Sequence, residues 1–227
     1  MTDPATVEDR IARGLAAGTV TSDEIIPFPE DWGENDLAVC LRSGETKNDI
    51  FRLLNSGWRP TFYRYRSADG AVMLIVLRLD SPDRCKKKVR PLRVARQIGF
   101  RPDVVALGLE PPRPLYGLDR LAAAPIADVL LVEGEKAADA GQLLFPDLAV
   151  VTWQNGASGV AQADWRALAG RRAIIWPDND DAGRMAAQSV AGKLTGVGAG
   201  SVRIVKNPSW FPPKWDVAEP VPSRAHA

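Results

Sequence analysis

Apolar positions along this chain fall into two clearly patterned stretches of different period. From Thr61 to Leu79 the sequence runs FYRYR, then Ser67-Ala68-Asp69-Gly70, then AVMLIVLRL. Aromatic and branched residues on either side of an Asp-Gly turn signal predict an antiparallel hairpin. From Ala127 onward come four short apolar runs: DVLLVEG (128–134), DLAVVTW (147–153), RRAIIWPD (171–178) and SVRIV (201–205). Between them lie KAADAGQLL, DWRALA and AGRMAAQSVAGKL, which carry helical spacing. In the last of these, Met185, Val190 and Leu194 are expected on one side, with small alanines allowing close approach to a sheet. Strand, helix and strand repeated at this interval predict an α/β domain. Its core is a mostly parallel four-stranded sheet flanked by helices and joined by right-handed crossovers, and a small α+β subdomain with the antiparallel hairpin precedes it.

The remaining pattern is weaker. Val7, Ile11 and Leu15 predict a short helix over 5–17, ended by Gly18, and the stretch to residue 57, with Pro27, Pro29, Gly33, Gly44 and Gly57, reads as an acidic, partly irregular cap or mobile lead-in. After the hairpin, Val89, Leu92 and Val94 alternate with cations, so this segment either continues the small sheet or crosses its face. Residues 102–120, with Pro102, Pro111, Pro112 and Pro114, read as a connector ending in a helical turn. The tail holds Pro208, Pro212, Pro213, Pro220 and Pro222 and cannot be regular; its Trp210, Phe211 and Trp215 either dock back on the domain or mark a chain that continues. The expected division is 1–57 lead-in, 58–120 small basic subdomain, 121–206 parallel-sheet domain and 207–227 tail.

Composition narrows the chemistry. A single histidine, His226, and two cysteines, Cys40 and Cys85, argue against a zinc site of Cys and His, a histidine general base, a Ser-His-Asp triad and a disulfide scaffold. No apolar run approaches the roughly 20 residues that span a bilayer, and MTDPATVEDR lacks the marks of a secretory leader, so no membrane partner and a cytoplasmic setting are expected. Net charge is only +1, but it is unevenly spread. Residues 1–50 carry eleven acids against four bases. Residues 84–101 carry Arg84, Lys86, Lys87, Lys88, Arg90, Arg93, Arg96 and Arg101 with no acid among them, the footprint of a nucleic-acid or triphosphate contact, or else of a solvated basic loop. Tyr63 and Tyr65 either stack on bases nearby or belong to the core.

The candidate chemistry sits at strand ends. Glu133 follows the first apolar run of the predicted sheet, with Gly134 beside it for a sharp turn; Asp178, Asp180 and Asp181 follow the third. In an open parallel sheet, sites gather outside the carboxyl ends of the strands. Carboxylates held close in a half-shielded place repel one another and lose solvation, and a hard divalent cation relieves both penalties. Mg²⁺, or Mn²⁺ in its place, takes one or two carboxylates together with substrate phosphates. Asp178 and Asp180 at i, i+2 suit one such ion, with Glu133 serving a second or taking a proton. The same residues also read as a helix cap with a solvated loop and a polar turn. Lys136, one turn into the following helix, is either a phosphate contact or a solvated lysine.

Glu133-Gly134 after the first strand and DNDDAG after the third resemble the TOPRIM domain shared by primases, topoisomerases and certain nucleases. The string from VLLVEGEKAADAG through WQNGASG to IIWPDNDDAGRMAA is similar to the TOPRIM region of bacterial-type and phage or prophage primases, and YRSADG with PRPLYGLDRL resembles the small subdomain before it. The resemblance implies a TOPRIM-like fold, with Glu133 as catalytic acid or metal ligand and Asp178 and Asp180 as metal ligands. It makes Asp181 a further contributor and places Asn155 and Gly156 in a glycine turn beside the active site. Lys86, Lys87, Lys88, Arg90 and Arg93 would contact template or triphosphate. The implied activity is metal-dependent RNA primer synthesis on single-stranded DNA from nucleoside triphosphates, with a replicative helicase as a possible companion. Two other readings stand beside it: a TOPRIM nuclease or topoisomerase fragment, and a non-catalytic DNA-binding module of a replication complex.

Overall fold

In the computed structural model, which describes residues 26–33, 36–37, 45–95 and 103–222, the chain divides into two units at Leu109 and Glu110. The helix expected over 5–17, Cys40, Arg96, Arg101 and His226 lie outside the described residues.

In the first unit, helix α1 (Glu45–Asn55) precedes an antiparallel sheet of β1 (Arg59–Arg66), β2 (Val72–Asp80), β3 (Lys87–Ala95) and β4 (Asp103–Val105), in the order β1-β2-β3-β4. The predicted hairpin is β1 and β2, with Phe62 opposite Leu77 and Tyr63 opposite Val76. Its turn closes through Ser67 N–H to the Ala71 carbonyl, 2.9 Å, and places Gly70 at φ 94°, where a side chain would be strained. Ile50 and Leu53 of α1 share a core with Ile75, Leu77, Leu79, Leu92 and Val94. Leu74 and Val76 of the opposite parity are also buried, as are Tyr63 and Tyr65. A sheet covered on both faces needs apolar residues at successive positions, which is why β2 reads as a nearly unbroken apolar run. Tyr63 and Tyr65 belong to that burial and present no ring for base stacking. The basic segment continues the sheet as β3. The stretch expected to be a plain connector contributes β4, a short edge strand pairing Val104 with Val94.

In the second unit, β5 (Val129–Val132), β6 (Ala149–Val151), β7 (Arg172–Trp176) and β8 (Ser201–Ile204) form a parallel sheet in the order β6-β5-β7-β8. This is the mostly parallel, helix-flanked sheet that the strand and helix pattern predicts, and the fold is TOPRIM-like. Helix α2 (Leu118–Ala123) precedes β5, and α3 (Glu135–Leu144) follows it. A single turn, α4 (Gly156–Gly159), follows β6, and α5 (Asp181–Gly196) joins β7 to β8. Val129, Leu131, Val151, Ala173 and Ile175 pack with Ala186, Ala187, Val190 and Leu194 of α5. Beneath α3, a Cβ added at Gly141 would come within 3.2 Å of Val150 and 3.6 Å of Val217, so a bare backbone lets the helix settle close to the sheet.

Two sequence expectations change here. Met185 is 71% exposed, because it lies five residues before Val190 and about 140° round the helix from it. DWRALA forms only a 3₁₀ turn, Trp165–Leu168, capped by Asp164 and broken at Gly170, which has φ 74°. The tail is irregular, as its prolines require, and Trp215 and Val217 are buried in the second unit.

Candidate active site at the carboxyl rim of the parallel sheet

Parallel register aligns the ends of neighbouring strands. Val132 is paired with Trp176, so Glu133 and Pro177 leave adjacent strands roughly 5 Å apart, and Asp178 follows one residue later. On the other side of β5, Leu131 is paired with Val151, which brings the start of Thr152-Trp153-Gln154-Asn155-Gly156 to the same rim. Residues 133, 155–156 and 178–180 are therefore delivered to one edge by three strands.

Local chemistry fixes each of them. Gly134 has φ 86° and ψ 152°, a region essentially reserved for glycine, and its N–H donates to Thr152 Oγ1 at 2.9 Å, tying the end of β5 to that of β6. Asn155 and Gly156 follow each other in left-handed conformation at φ 64° and 50°. A Cβ on Gly156 would lie 2.5 Å from Glu133 Oε1. The loop thus approaches the Glu133 carboxylate as closely as a bare backbone can, and Trp153 Nε1 pins it by donating to the Gly156 carbonyl at 2.7 Å. Gln154 is buried, and its Nε2 has no hydrogen-bond partner in the structure. An unused donor buried beside such a rim calls for a water or a ligand.

Asp180 is the N-cap of α5. Its backbone is extended and its Oδ1 accepts from Gly183 N–H at 2.8 Å. Gly183 is required for the turn, since a Cβ there would meet the Asp178 carbonyl at 2.6 Å. Asp181 points outward, 93% exposed at its side chain, and pairs with Arg184. Lys136 is half-exposed, with Nζ 3.0 Å from Glu219 Oε1 of the tail, an ion pair worth at most about 1 kcal/mol in that setting. A cavity of about 570 Å³ opens beside the Asp178–Asp180 turn, and the out-of-phase Met185 lines it along with Asn179, Arg184 and Lys206.

Strand alternation separates the basic residues of the first unit. Lys86 and Lys87 are exposed. Lys88 Nζ lies 3.0 Å from Asp49 Oδ2 and Arg90 Nη2 lies 3.7 Å from it. Hydrogen bonds from Arg52 and Lys88 hold the Asp49 carboxyl below its ordinary value. Arg93 is half-buried, and its Nε lacks a partner.

Among the described residues, no group of three or more His, Cys, Asp or Glu side chains is placed to hold a metal ion. What the rim offers is Glu133 beside Gly156, the Asp178 main chain packed on Gly183, and Asp180, whose Oδ1 accepts the cap bond. Mg²⁺ needs few carboxylates when phosphates complete its shell, so the residues that would hold such an ion here are Asp178 and Asp180.

Sequence reasoning missed three features: Thr152 as the acceptor for Gly134, the orphan amide of Gln154, and the grip of the tail on Asn179. A polar residue just after an apolar run was the only available sign of the first two.

No family model matches the chain, and no curated protein sequence matches it. Solved structures do resemble it. A DNA primase domain from Pseudomonas aeruginosa aligns with TM-score 0.43 and 15% identity over 78% of this chain and 55% of that one. The Aquifex aeolicus primase, comprising zinc-binding and RNA polymerase domains, aligns with TM-score 0.45 and 16% identity over 82% and 48%. The E. coli primase catalytic core aligns with TM-score 0.42 and 18% identity over 76% and 56%. This chain spans about half the length of each. At such identities and scores, no activity passes from them to this chain.

Proposed function

We propose that this chain is a primase-like nucleotidyltransferase core that joins ribonucleotides on single-stranded DNA in a reaction dependent on Mg²⁺ or Mn²⁺. The observation that carries the reading is the delivery of Glu133 and of the Asp178–Asp180 turn to one rim by adjacent strands, with Gly156 stripped to its backbone where Glu133 rests. Glycine at 156 leaves the Glu133 carboxylate room that a Cβ would crowd.

In this reading Asp178 and Asp180 hold the cation, and Glu133 faces the attacking hydroxyl, where its carboxylate takes the proton as oxygen bonds to the α-phosphorus and pyrophosphate departs. The bound cation supplies neutralisation of phosphate charge and a lowered hydroxyl pKa. Gln154 Nε2 is a donor available to a phosphate oxygen, and exposed Lys86 and Lys87 are available to the template.

The test is to incubate the purified chain with single-stranded DNA, four ribonucleotides and Mg²⁺ or Mn²⁺, and to resolve products on a denaturing gel. Asp180→Asn keeps the cap, since Asn caps helices as well as Asp, but removes the charge. Primer synthesis by the wild type should fall by at least about 100-fold in the variant, with circular dichroism unchanged. Equal product from both would overturn the assignment. Metal-dependent loss of the DNA without added nucleotides would replace it with a nuclease.

A further inference from the structure

We infer that Asn179, between the two acids, is a positioning residue, and that the Pro- and Trp-rich tail, gripping it, sets the geometry of the carboxylate turn. The inference deepens the proposed function and rests on it, because the turn being positioned is the one assigned to the cation.

Asn179 bonds to the tail through its N–H, its carbonyl and its Nδ2. Its N–H donates to the Trp215 carbonyl at 2.9 Å, and its carbonyl accepts from Lys214 N–H at 3.0 Å. Its Nδ2 donates to the carbonyls of Phe211 and Pro212, both at 2.9 Å. One residue before Asp178, the Pro177 carbonyl accepts from Asn207 Nδ2 at 3.0 Å, and Asn207 Oδ1 in turn accepts from Trp176 Nε1 at 2.7 Å. Asp178 is thus bracketed on both sides by residues bonded to the tail, and Asp180 is fixed on its far side by the α5 cap.

The tail can bear this load because it is itself anchored. Trp215 is buried, its ring centroid 5.7 Å from that of Trp176 and 4.5 Å from that of Phe211, and its Nε1 donates to the Pro220 carbonyl at 3.0 Å. Lys214 takes φ 63°, a conformation unusual for a residue with a side chain, as the chain turns to present its N–H to Asn179. A solvated turn would satisfy Asn179 with water. Here two side-chain donors and both backbone groups are spent on one partner segment, so the spacing of Asp178 and Asp180 is inherited from it. Proline supplies the stiffness, since Pro208, Pro212 and Pro213 restrict the backbone that carries the acceptors.

A positioning role predicts a split between metal affinity and turnover. Mn²⁺ binding to the full chain, read by electron paramagnetic resonance, and primer synthesis as a function of Mn²⁺ are measured for the wild type, Asn179→Ala and Asn207→Ala. Thermal unfolding is recorded for each. For Asn179→Ala the Mn²⁺ concentration at half-saturation should rise about tenfold, the equivalent of one net hydrogen bond, while the rate at saturating Mn²⁺ recovers to near the wild-type value. Asn207→Ala should shift in the same direction by a smaller factor, and it keeps the question answerable if Asn179→Ala fails to fold. Wild-type Mn²⁺ affinity in whichever variant folds would overturn the inference and leave the proposed function standing. A wild type that neither binds Mn²⁺ nor makes product would overturn both.

Discussion

The two sheets of this molecule treat neighbouring residues in opposite ways. In the antiparallel unit, Lys87, Lys88 and Arg90 are almost contiguous in sequence, yet alternation puts Lys88 and Arg90 beside Asp49 and leaves Lys87 on the other side of the strand. In the parallel unit, Glu133 and Asp178 are far apart in sequence, yet the pairing of Val132 with Trp176 delivers them to one rim. A run visible in the sequence is thus dispersed by a pleated strand, whereas two residues far apart in sequence are brought to one edge by register. Charge density along a chain is a poor guide to charge density in space.

The comparison can be broken most forcefully at Gly156. Replacing it with alanine forces a Cβ to within 2.5 Å of Glu133 Oε1 and places a side chain at φ 50°. If the rim is assembled for chemistry, Gly156→Ala should reduce primer synthesis by about 100-fold, as a misplaced catalytic group does, while costing only about 1 kcal/mol in a denaturant melt. A variant with full activity would show that the close approach is incidental. A smaller effect separates the basic residues. Lys86→Ala with Lys87→Ala should flatten the dependence of log affinity for single-stranded DNA on log salt by about 1 to 1.5, whereas Lys88→Ala should change it less, because Asp49 already neutralises that cation. Equal slopes for the two would mean that alternation does not partition the run.

The smallest effect concerns Tyr116, just before Gly117 in the second unit. Its hydroxyl donates to Asp139 at 2.9 Å, and burial together with that carboxylate raises the phenol well above its ordinary value of 10.0. A raised value in the folded state means that the stabilisation is complete below pH 10.0 and declines as pH rises above it. Tyr116→Phe should cost about 1 kcal/mol at neutral pH and should lack this alkaline decline, as followed by chemical denaturation at several pH values.

Much of the parallel unit could be read in the sequence because its determinants are local. VLLV, AVV and RAIIW are short buried strands, and the helix after Asp180 is announced by a capping residue and a run of alanines. Met185 falls off the buried face of α5 because that face is marked by Ala186 and Ala187 together with Val190 and Leu194. Glu133, Asp178 and Asp180 were visible as acids just past apolar runs, the placement that an open sheet uses for its sites. What could not be read was whatever depends on a partner remote in sequence and unmarked by residue type. The bonds from Asn179 go mainly to main-chain carbonyls, Thr152 serves Gly134 through one hydroxyl, and Asp49 recruits cations from another element. The two tyrosines of β1 look alike as stacking platforms and as core, and only burial distinguishes the two.

The docking of the tail has a consequence for the order of events during synthesis. A nascent chain that has emerged as far as Ile204 already holds all four parallel strands, both aspartates and Glu133. It still lacks Asn207 and the carbonyls of Phe211, Pro212 and Trp215 that grip Pro177 and Asn179. The sheet can therefore form on the ribosome before its rim is finished, and the last turn to be tightened is the one that carries the acids.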